Sequence, residues 1–199
     1  MIKRYTNRDF VSPMIIEERK LNTASVDVFS RLMQERIIFL GDEIDAEVAN
    51  TIQAQLLYMN AVSNDPITIY VNSPGGYVID GLAIYDTMRF VKSKIITVCT
   101  GMAASMASII LVGGDERKIL PNAKVLIHQP WGGMGGTAAD LTIAVEEINK
   151  DKKKLYEILS KHTGQPYEKI VEDSQRDFWL NAEEALAYGC IDEIIKPSK

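Results

Sequence analysis

Apolar and polar positions along the chain follow two periods, which predict strands and helices in turn. Short apolar runs at 37–40, 67–71 and 95–99 have the length of buried strands. Between them, apolar residues recur at helical spacing over 45–59 and again over 78–91. Strands that alternate with helices predict an α/β fold with a mainly parallel sheet. No repeat, linker or low-complexity tract interrupts the pattern, so we expect a single domain.

The N-terminal part of the chain carries a weaker signal. Residues 1–22 are polar, contain Pro13 and show no clear period, so we expect an extended arm or mobile loop there. Thr23 is expected to cap a first helix, and the main domain then spans 23–199. The apolar face of that helix would consist of Val26, Phe29, Leu32 and Met33.

The C-terminal half predicts two short strands at 117–120 and 124–128, followed by a glycine-rich loop at 129–136. A long amphipathic helix is expected from that loop to about Lys161. Three shorter elements complete the chain: a helix that begins with Pro166, a helix from its cap Asn181 to Gly189, and a strand over 190–195.

The central stretch 95–114 contains no charged residue, which raises the question of a membrane span. Hydroxyl groups and glycines dilute its hydrophobicity, and Gly101 is expected to divide it into a buried strand and a helix that opens at or near Ser105. A hydroxyl at a helix start lies beside free backbone N–H groups, which can stabilise a developing oxyanion. Taken alone, however, Ser105 is more often only the N-cap of its helix.

Composition narrows the classes of function. The formal net charge of −5 predicts no basic surface of the kind that nucleic acid requires. Cys99 and Cys190 both lie in apolar segments, so we expect buried thiols in a reducing compartment. There is no clustered Cys/His pattern and therefore no zinc signature. Because the first residues are charged and lack an apolar signal core, the cytoplasm is the expected location.

A serine nucleophile needs a base, and the sequence holds only two histidines. His162 ends the long helix, where an imidazole commonly has a structural role. His128 ends an apolar strand before the glycine-rich loop, so it is the candidate base. An orienting carboxylate is also required, and sequence spacing cannot choose it among Asp140, Asp173 and Asp177.

An oxyanion hole requires two converging N–H groups. The amide of Met106 is one candidate, and the Gly75–Gly76 pair could supply the other because glycine allows a close approach. The chain order Ser, His, Asp excludes the chymotrypsin, subtilisin and α/β-hydrolase classes, and no GxSxG motif is present.

Six motifs follow one another in a specific order. They are NSPGG at 72–76, GMAASM at 101–106, PN at 121–122, IHQP at 127–130, HTGQ at 162–165 and RD at 176–177. Each is weak alone, but together they resemble the Clp protease family, over roughly residues 29–194. The resemblance covers nearly the whole chain.

The resemblance implies a crotonase-like ββα fold, a protruding helix–strand handle at about 129–162, and serine endopeptidase activity. It makes Ser105 the nucleophile, His128 the general base and Asp177 the orienting carboxylate. The N–H groups of Gly76 and Met106 would form the oxyanion hole. Residues 1–22 would correspond to an N-terminal arm or axial loop, and its processing is left open.

The resemblance also implies partners. The family forms two stacked seven-membered rings and degrades unfolded polypeptides delivered by an AAA+ unfoldase, which would dock near Tyr70, Phe90 and Leu57. No cofactor is expected in this chain, because ATP is used by the unfoldase. Neither nucleic acid nor a membrane is expected as a partner. Gln175 stands where the family usually has an acidic residue, so we expect a weaker or differently tuned link between the rings.

Two alternatives remain open. A crotonase-type acyl-CoA hydratase or isomerase would share the glycine-rich oxyanion hole, but such enzymes typically use acidic residues as acid and base. An inactive structural subunit of a mixed ring is the second alternative, although such subunits generally lose part of the triad.

Overall fold

The computed structural model describes residues 14–18, 23–133 and 135–196. The strands in these ranges are β1 Met14–Glu18, β2 Thr23–Asp27, β3 Ile37–Leu40, β4 Ile67–Ser73, β5 Ile95–Ala104, β6 Glu116–Ile119, β7 Lys124–Ile127, β8 Phe178–Asn181 and β9 Glu193–Ile194. The helices are α1 Val28–Gln34, α2 Ala46–Val62, α3 Val78–Phe90, α4 Met106–Val112, α5 Ala138–Thr163, α6 Tyr167–Asp173 and α7 Ala182–Tyr188.

The main sheet is mostly parallel. Its strands are ordered β3-β4-β5-β6-β9, and all neighbours in this row are parallel. β7 pairs in parallel with β5, and β8 pairs antiparallel with β7. A separate antiparallel pair joins β1 and β2. The prediction of a single α/β domain with a mainly parallel sheet is confirmed.

The central strand β5 changes partners along its length. Ile96–Cys99 pair with β6, whereas Met102–Ala104 pair with β7, and the register on β4 shifts between Val71 and Ser73. The prediction that Gly101 divides strand from helix was wrong, because β5 runs through Gly101 and ends at Ala104. Gly101 permits this close packing, since a Cβ there would lie 2.5 Å from Asn72 Oδ1.

Helix α4 is the most deeply buried element near this strand. All seven of its residues, Met106–Val112, are buried. α2 contributes Ala49, Ile52, Leu56 and Met59 to the same core. Each fully buried large aliphatic side chain contributes about 1.5–3 kcal/mol, so this core fixes the start of α4 firmly.

Helix caps confirm several predicted boundaries. Asp45 caps α2, with Oδ1 accepting from the amide of Val48 at 2.9 Å. Asn181 and Glu184 form a capping box at the start of α7, and Gly189 ends that helix with a φ of 89°. Such a left-handed residue suits glycine, because a Cβ would be strained there.

The N-terminal prediction needs correction. Residues 23–27 form β2 rather than the first turn of a helix, and the cap of α1 is Asp27, whose carboxylate accepts from the amides of Phe29 and Ser30. Pairing with β1 along 14–18 outweighs the local capping signal of Thr23. The predicted arm at 1–22 otherwise lies outside the described residues.

Three further boundaries differ from the prediction. Pro166 is the N-cap of α6 rather than its first helical residue, and the last strand, β9, is shorter than 190–195. β8 was not predicted. Residues 129–133 and 135–137 contain no strand, so the described part of the predicted handle consists of a loop and α5.

Among the described residues, no helix combines the length and the apolar character needed to cross a bilayer. The uncharged stretch 95–114 is divided between β5 and the short helix α4.

Arg36 ties the end of α2 to the sheet. Its backbone has a φ of 63°, and its guanidinium is a donor for one hydroxyl and several carbonyls. The acceptors are the carbonyls of Met59, Ser63, Asp65 and Pro66 and the hydroxyl of Ser93. Met59 and Ser63 stand at the C-terminal end of α2, and Asp65 and Pro66 lie in the loop that follows, so this one cation joins the helix end to the loop.

Arg36→Met is expected to lower the free energy of unfolding by about 1–3 kcal/mol, because several carbonyls lose their donor. The control is Lys150→Met, which removes only an exposed ion pair with Glu147 at 2.6 Å. That change is expected to stay within about 0.5 kcal/mol. Urea unfolding followed by circular dichroism measures both, and equal effects of the two substitutions would contradict the role of Arg36.

Candidate active site

Ser105 occupies a strained turn between β5 and α4. Its φ of 55° is unusual for a residue with a side chain. Its amide donates to the carbonyl of Leu126 at 2.9 Å, and its carbonyl accepts from the amide of Ser108 at 2.9 Å. Although Ser105 stands at the N-cap position, its side chain makes no capping hydrogen bond. The interpretation of Ser105 as only an N-cap therefore does not explain why its side chain carries a hydroxyl.

The hydroxyl of Ser105 faces an imidazole. His128 follows β7, and its Nε2 lies 2.7 Å from Ser105 Oγ. On the other side of the ring, Nδ1 lies 3.2 Å from Asp177 Oδ1. Because an ionised carboxylate only accepts hydrogen bonds, Nδ1 carries the proton and Nε2 is left to accept from the serine. The three predicted residues therefore meet in one hydrogen-bonded chain.

The three candidate carboxylates have different hydrogen-bond partners. Asp140 accepts from the Thr137 hydroxyl and amide at the start of α5, and these hydrogen bonds lower its pKa. Asp173 accepts from the hydroxyl of Tyr188 at 2.7 Å and from Lys169. Neither of these two carboxylates is hydrogen-bonded to His128, whereas the carboxylate of Asp177 is.

Asp177 is largely exposed, although it directly precedes the apolar residues of β8. Its side chain is 65% exposed, compared with 20% for His128. β8 has β7 as its one strand partner among the described residues, and Trp179 on it is about half exposed. The carboxylate therefore lies at the open side of the site rather than in the core.

Two backbone amides lie beside the serine. Met106 is the first residue of α4, so its N–H belongs to the free donors of the helix start. Gly76 forms a parallel β-bridge with Ile44. The amide of Ile44 donates to the carbonyl of Gly75, and the amide of Tyr77 donates to the carbonyl of Ile44. The N–H of Gly76 therefore points away from Ile44. Only glycine fits at position 76, since a Cβ would lie 2.1 Å from the carbonyl oxygen of Ile44.

A cavity of about 60 Å³ adjoins these groups. Ser105, His128, Gly76 and Met106 contribute to its wall. The remaining lining is mainly apolar and comes from Val78, Ile109, Ile127, Pro130, Trp131, Leu155, Tyr156 and Leu159, together with Ser108. Because the cavity adjoins Ser105, it could hold a side chain of a bound molecule next to the group that the serine attacks.

The other chemically reactive residues lie away from this chain of hydrogen bonds. Cys99 and Cys190 are buried and unpaired, and burial raises the pKa of each thiol to about 12. His162 lies 2.8 Å from the Tyr85 hydroxyl, through Nε2, and burial lowers its pKa to about 4. The prediction that both thiols are buried is confirmed, and the partner of His162 is Tyr85 rather than a group of the site. Across the described ranges, no group of three or more His, Cys, Asp or Glu side chains is placed to hold a metal ion.

A serine hydroxyl hydrogen-bonded to an imidazole, with a carboxylate on the far nitrogen and a cavity alongside, is the arrangement of a serine hydrolase. The mainly parallel α/β sheet also excludes the chymotrypsin type, which is built of β-barrels, and the residue order sets aside the subtilisin type.

Comparison with known proteins identifies the family. Residues 20–198 match the Clp protease family. The chain is 56% identical over 195 residues to the ATP-dependent Clp protease proteolytic subunit of Porphyromonas gingivalis, which covers 96% of this chain and 87% of that protein. It is 54% identical over 191 residues to the subunit of the same name from Bacteroides fragilis, covering 94% and 91%. A further relative, the ATP-dependent Clp protease proteolytic subunit 1 of Salinibacter ruber, is 47% identical over 186 residues, covering 92% and 80%.

The chain belongs to the Clp protease family, and it is a peptidase of the serine type. The resemblance seen in the six motifs is confirmed. An acyl-CoA hydratase or isomerase is not favoured.

The pKa of His162 predicts how stability depends on acidity. Its folded value of about 4 lies below the unfolded value of 6.5, so the unfolded chain binds more protons between these limits. Stability should therefore fall as the pH falls through this window. His162→Gln, which can still accept from Tyr85, is expected to make the decline in thermal midpoint shallower. An unchanged slope between wild type and variant would contradict the assignment.

Proposed function

We propose that this chain is the peptide-cleaving subunit of an ATP-dependent protease, with Ser105 as nucleophile, His128 as general base and Asp177 as orienting carboxylate. The observation that supports this most directly is the hydrogen-bonded chain itself, with 2.7 Å from Ser105 Oγ to His128 Nε2 and 3.2 Å from Nδ1 to Asp177. Family membership supports the same reaction class.

The geometry suggests how the groups cooperate. As Ser105 Oγ attacks the carbonyl carbon of a peptide, His128 Nε2 takes its proton, and Asp177 stabilises the imidazolium that forms. The carbonyl oxygen becomes an oxyanion, to which the amides of Gly76 and Met106 would donate. His128 then protonates the leaving amine, which leaves an acyl-enzyme. Water, activated by the same imidazole, releases the acid and restores the serine.

The substrate is proposed to bind as an extended strand between residues 76–79 and 130–133. Tyr77, Ile79 and Trp131 are strongly exposed there, which leaves both segments accessible. Main-chain hydrogen bonds to such a strand make little demand on sequence. This mode suits the degradation of many unfolded polypeptides.

Assembly into two stacked seven-membered rings is part of the proposal. The N-terminal half of α5 exposes Leu141, Ile143 and Val145, so an apolar surface remains for contact with another copy. Gln175 is itself exposed at its position before Arg176. We retain the proposal that its uncharged side chain makes the link between rings weaker or differently tuned.

The unfoldase is proposed to dock near Tyr70, Phe90 and Leu57. Phe90 is 77% exposed and Leu57 is 46% exposed, so both apolar side chains are accessible to a partner. ATP would be used by the unfoldase, and this chain would need no cofactor. The proposed location is the cytoplasm, with neither nucleic acid nor a membrane as a partner.

Ser105→Ala is expected to reduce hydrolysis of a short fluorogenic peptide by at least about 10³-fold, because the attacking oxygen is removed. Folding and native mass should be unchanged. A fluorophosphonate should label Ser105 and no other serine, as read by mass spectrometry of the digested protein, and His128→Ala should block labelling. Retained hydrolysis in Ser105→Ala would refute the assignment.

Phe90→Ser is expected to reduce ATP-dependent degradation of a folded substrate by at least about tenfold, since burial of an aromatic anchor stabilises such contacts. Hydrolysis of a short peptide, which needs no unfoldase, should change by less than about twofold. Leu186→Ser, at another exposed apolar position, is the control. Equal losses in both variants, or in both assays, would count against docking at Phe90.

A further inference from the structure

The segment that carries Asp177 is joined to the neighbours of His128 on both sides. Downstream of Asp177, Phe178 pairs with Ile127 in the antiparallel β7–β8 ladder. Upstream, the carbonyl of Ser174 accepts from the amide of Gln129 at 2.7 Å. Ile127 and Gln129, the two neighbours of His128, therefore hold the segment that carries Asp177 on both sides of it.

The side chain of Gln129 adds a second contact to this segment. Its Nε2 donates to the carbonyl of Gln175 at 3.1 Å, and its Oε1 accepts from Lys152 Nζ at 3.1 Å. An ammonium group can only donate, so the amide oxygen must face Lys152 and the NH₂ group must face Gln175. The amide thus has one defined orientation, fixed from α5.

Asp177 needs such support because its own surroundings provide little. Its side chain is 65% exposed, so packing does not limit its rotamers. Its backbone is bounded by β8 on one side and by the contacts of Ser174 and Gln175 on the other. Only Arg176 and Asp177 lie between these fixed points. A contact at Gln175 therefore restrains the carboxylate more closely than one at Ser174 alone.

We infer that Gln129 is a positioning residue of the triad, whose side-chain amide holds the backbone that presents Asp177 to His128. The inference rests on the proposed function of Ser105, His128 and Asp177. Gln129 acts through Asp177 and does not itself take part in proton transfer. Losing its amide should leave substrate binding intact and impair the step in which His128 becomes charged.

The test uses Gln129→Met, which keeps the length of the side chain and the main-chain bond to Ser174 but removes the amide. We expect kcat for a short peptide to fall about 10- to 100-fold, the scale associated with a small misplacement of catalytic groups. KM should change by less than about twofold. Gln129→Glu, which keeps the contact with Lys152 but loses the donor to Gln175, should show the same loss and serves if the first variant folds poorly.

A double-mutant cycle separates positioning from a general structural effect. In an Asp177→Asn background, Gln129→Met should reduce kcat by less than about a further twofold, because the group it positions has already lost its charge. Gln175→Ala is the matched control. It retains the backbone carbonyl that Gln129 binds, so kcat should stay within about twofold of wild type. Thermal midpoint and native mass are recorded for every variant.

Wild-type kcat in both Gln129 variants, or equal fold losses with and without Asp177→Asn, would overturn the inference. A large loss in Gln175→Ala with unchanged native mass would do so too, because the backbone acceptor is still present. If the wild-type protein neither cleaves the peptide nor reacts with a fluorophosphonate, the proposed function fails and this inference fails with it. The two failures are therefore distinguishable.

Discussion

The positive φ of Ser105 is the constraint on which the site depends. A non-glycine residue in such a sparsely populated conformation costs about 1–3 kcal/mol, so the surrounding structure has to impose it. The bond from its amide to Leu126 fixes the entry to the turn, and the buried helix α4 fixes the exit. Gly75 allows its segment to pack closely against this turn, because a Cβ there would lie 2.8 Å from Ser105 Cβ. This turn directs the hydroxyl to His128 rather than to the helix it precedes.

The sheet brings the other two residues of the triad to that turn. β7 pairs with the last part of β5, so His128, which follows β7, lies beside Ser105. β8 runs antiparallel to β7, so Asp177, which precedes β8, lies beside His128. The change of partner along β5, from β6 to β7, is therefore what places a strand end next to the serine. An exposed carboxylate can serve in this arrangement, because the backbone on both sides of it is held.

Local sequence signals were enough for part of this account. The serine at the strand–helix junction, His128 at a strand end and the structural role of His162 all follow from apolar runs and their neighbours. The prediction that the strand ends at Gly101 was wrong. β5 continues past it because of close packing against Asn72 and a shift in register on β4, and neither feature can be read from the local sequence. The helix expected from Thr23 likewise gave way to pairing with β1. Spacing could not select Asp177, since the ladder that brings it to His128 joins segments about fifty positions apart. The selection came from the family resemblance, and the partners of Asp140 and Asp173 now explain it.

The central claim is that the turn at Ser105, the end of β7 and the segment around Gly76 together present a nucleophile, a base and two backbone donors to the same carbonyl group. A crystal structure of the protein after reaction with a peptide boronic acid tests this most directly, because tetrahedral boron imitates the intermediate. The account predicts a bond from Ser105 Oγ to boron, with one boronate oxygen accepting from the amides of Gly76 and Met106 at about 2.7–3.1 Å. Boron attached to a different residue, or a boronate oxygen directed away from both amides, would contradict it.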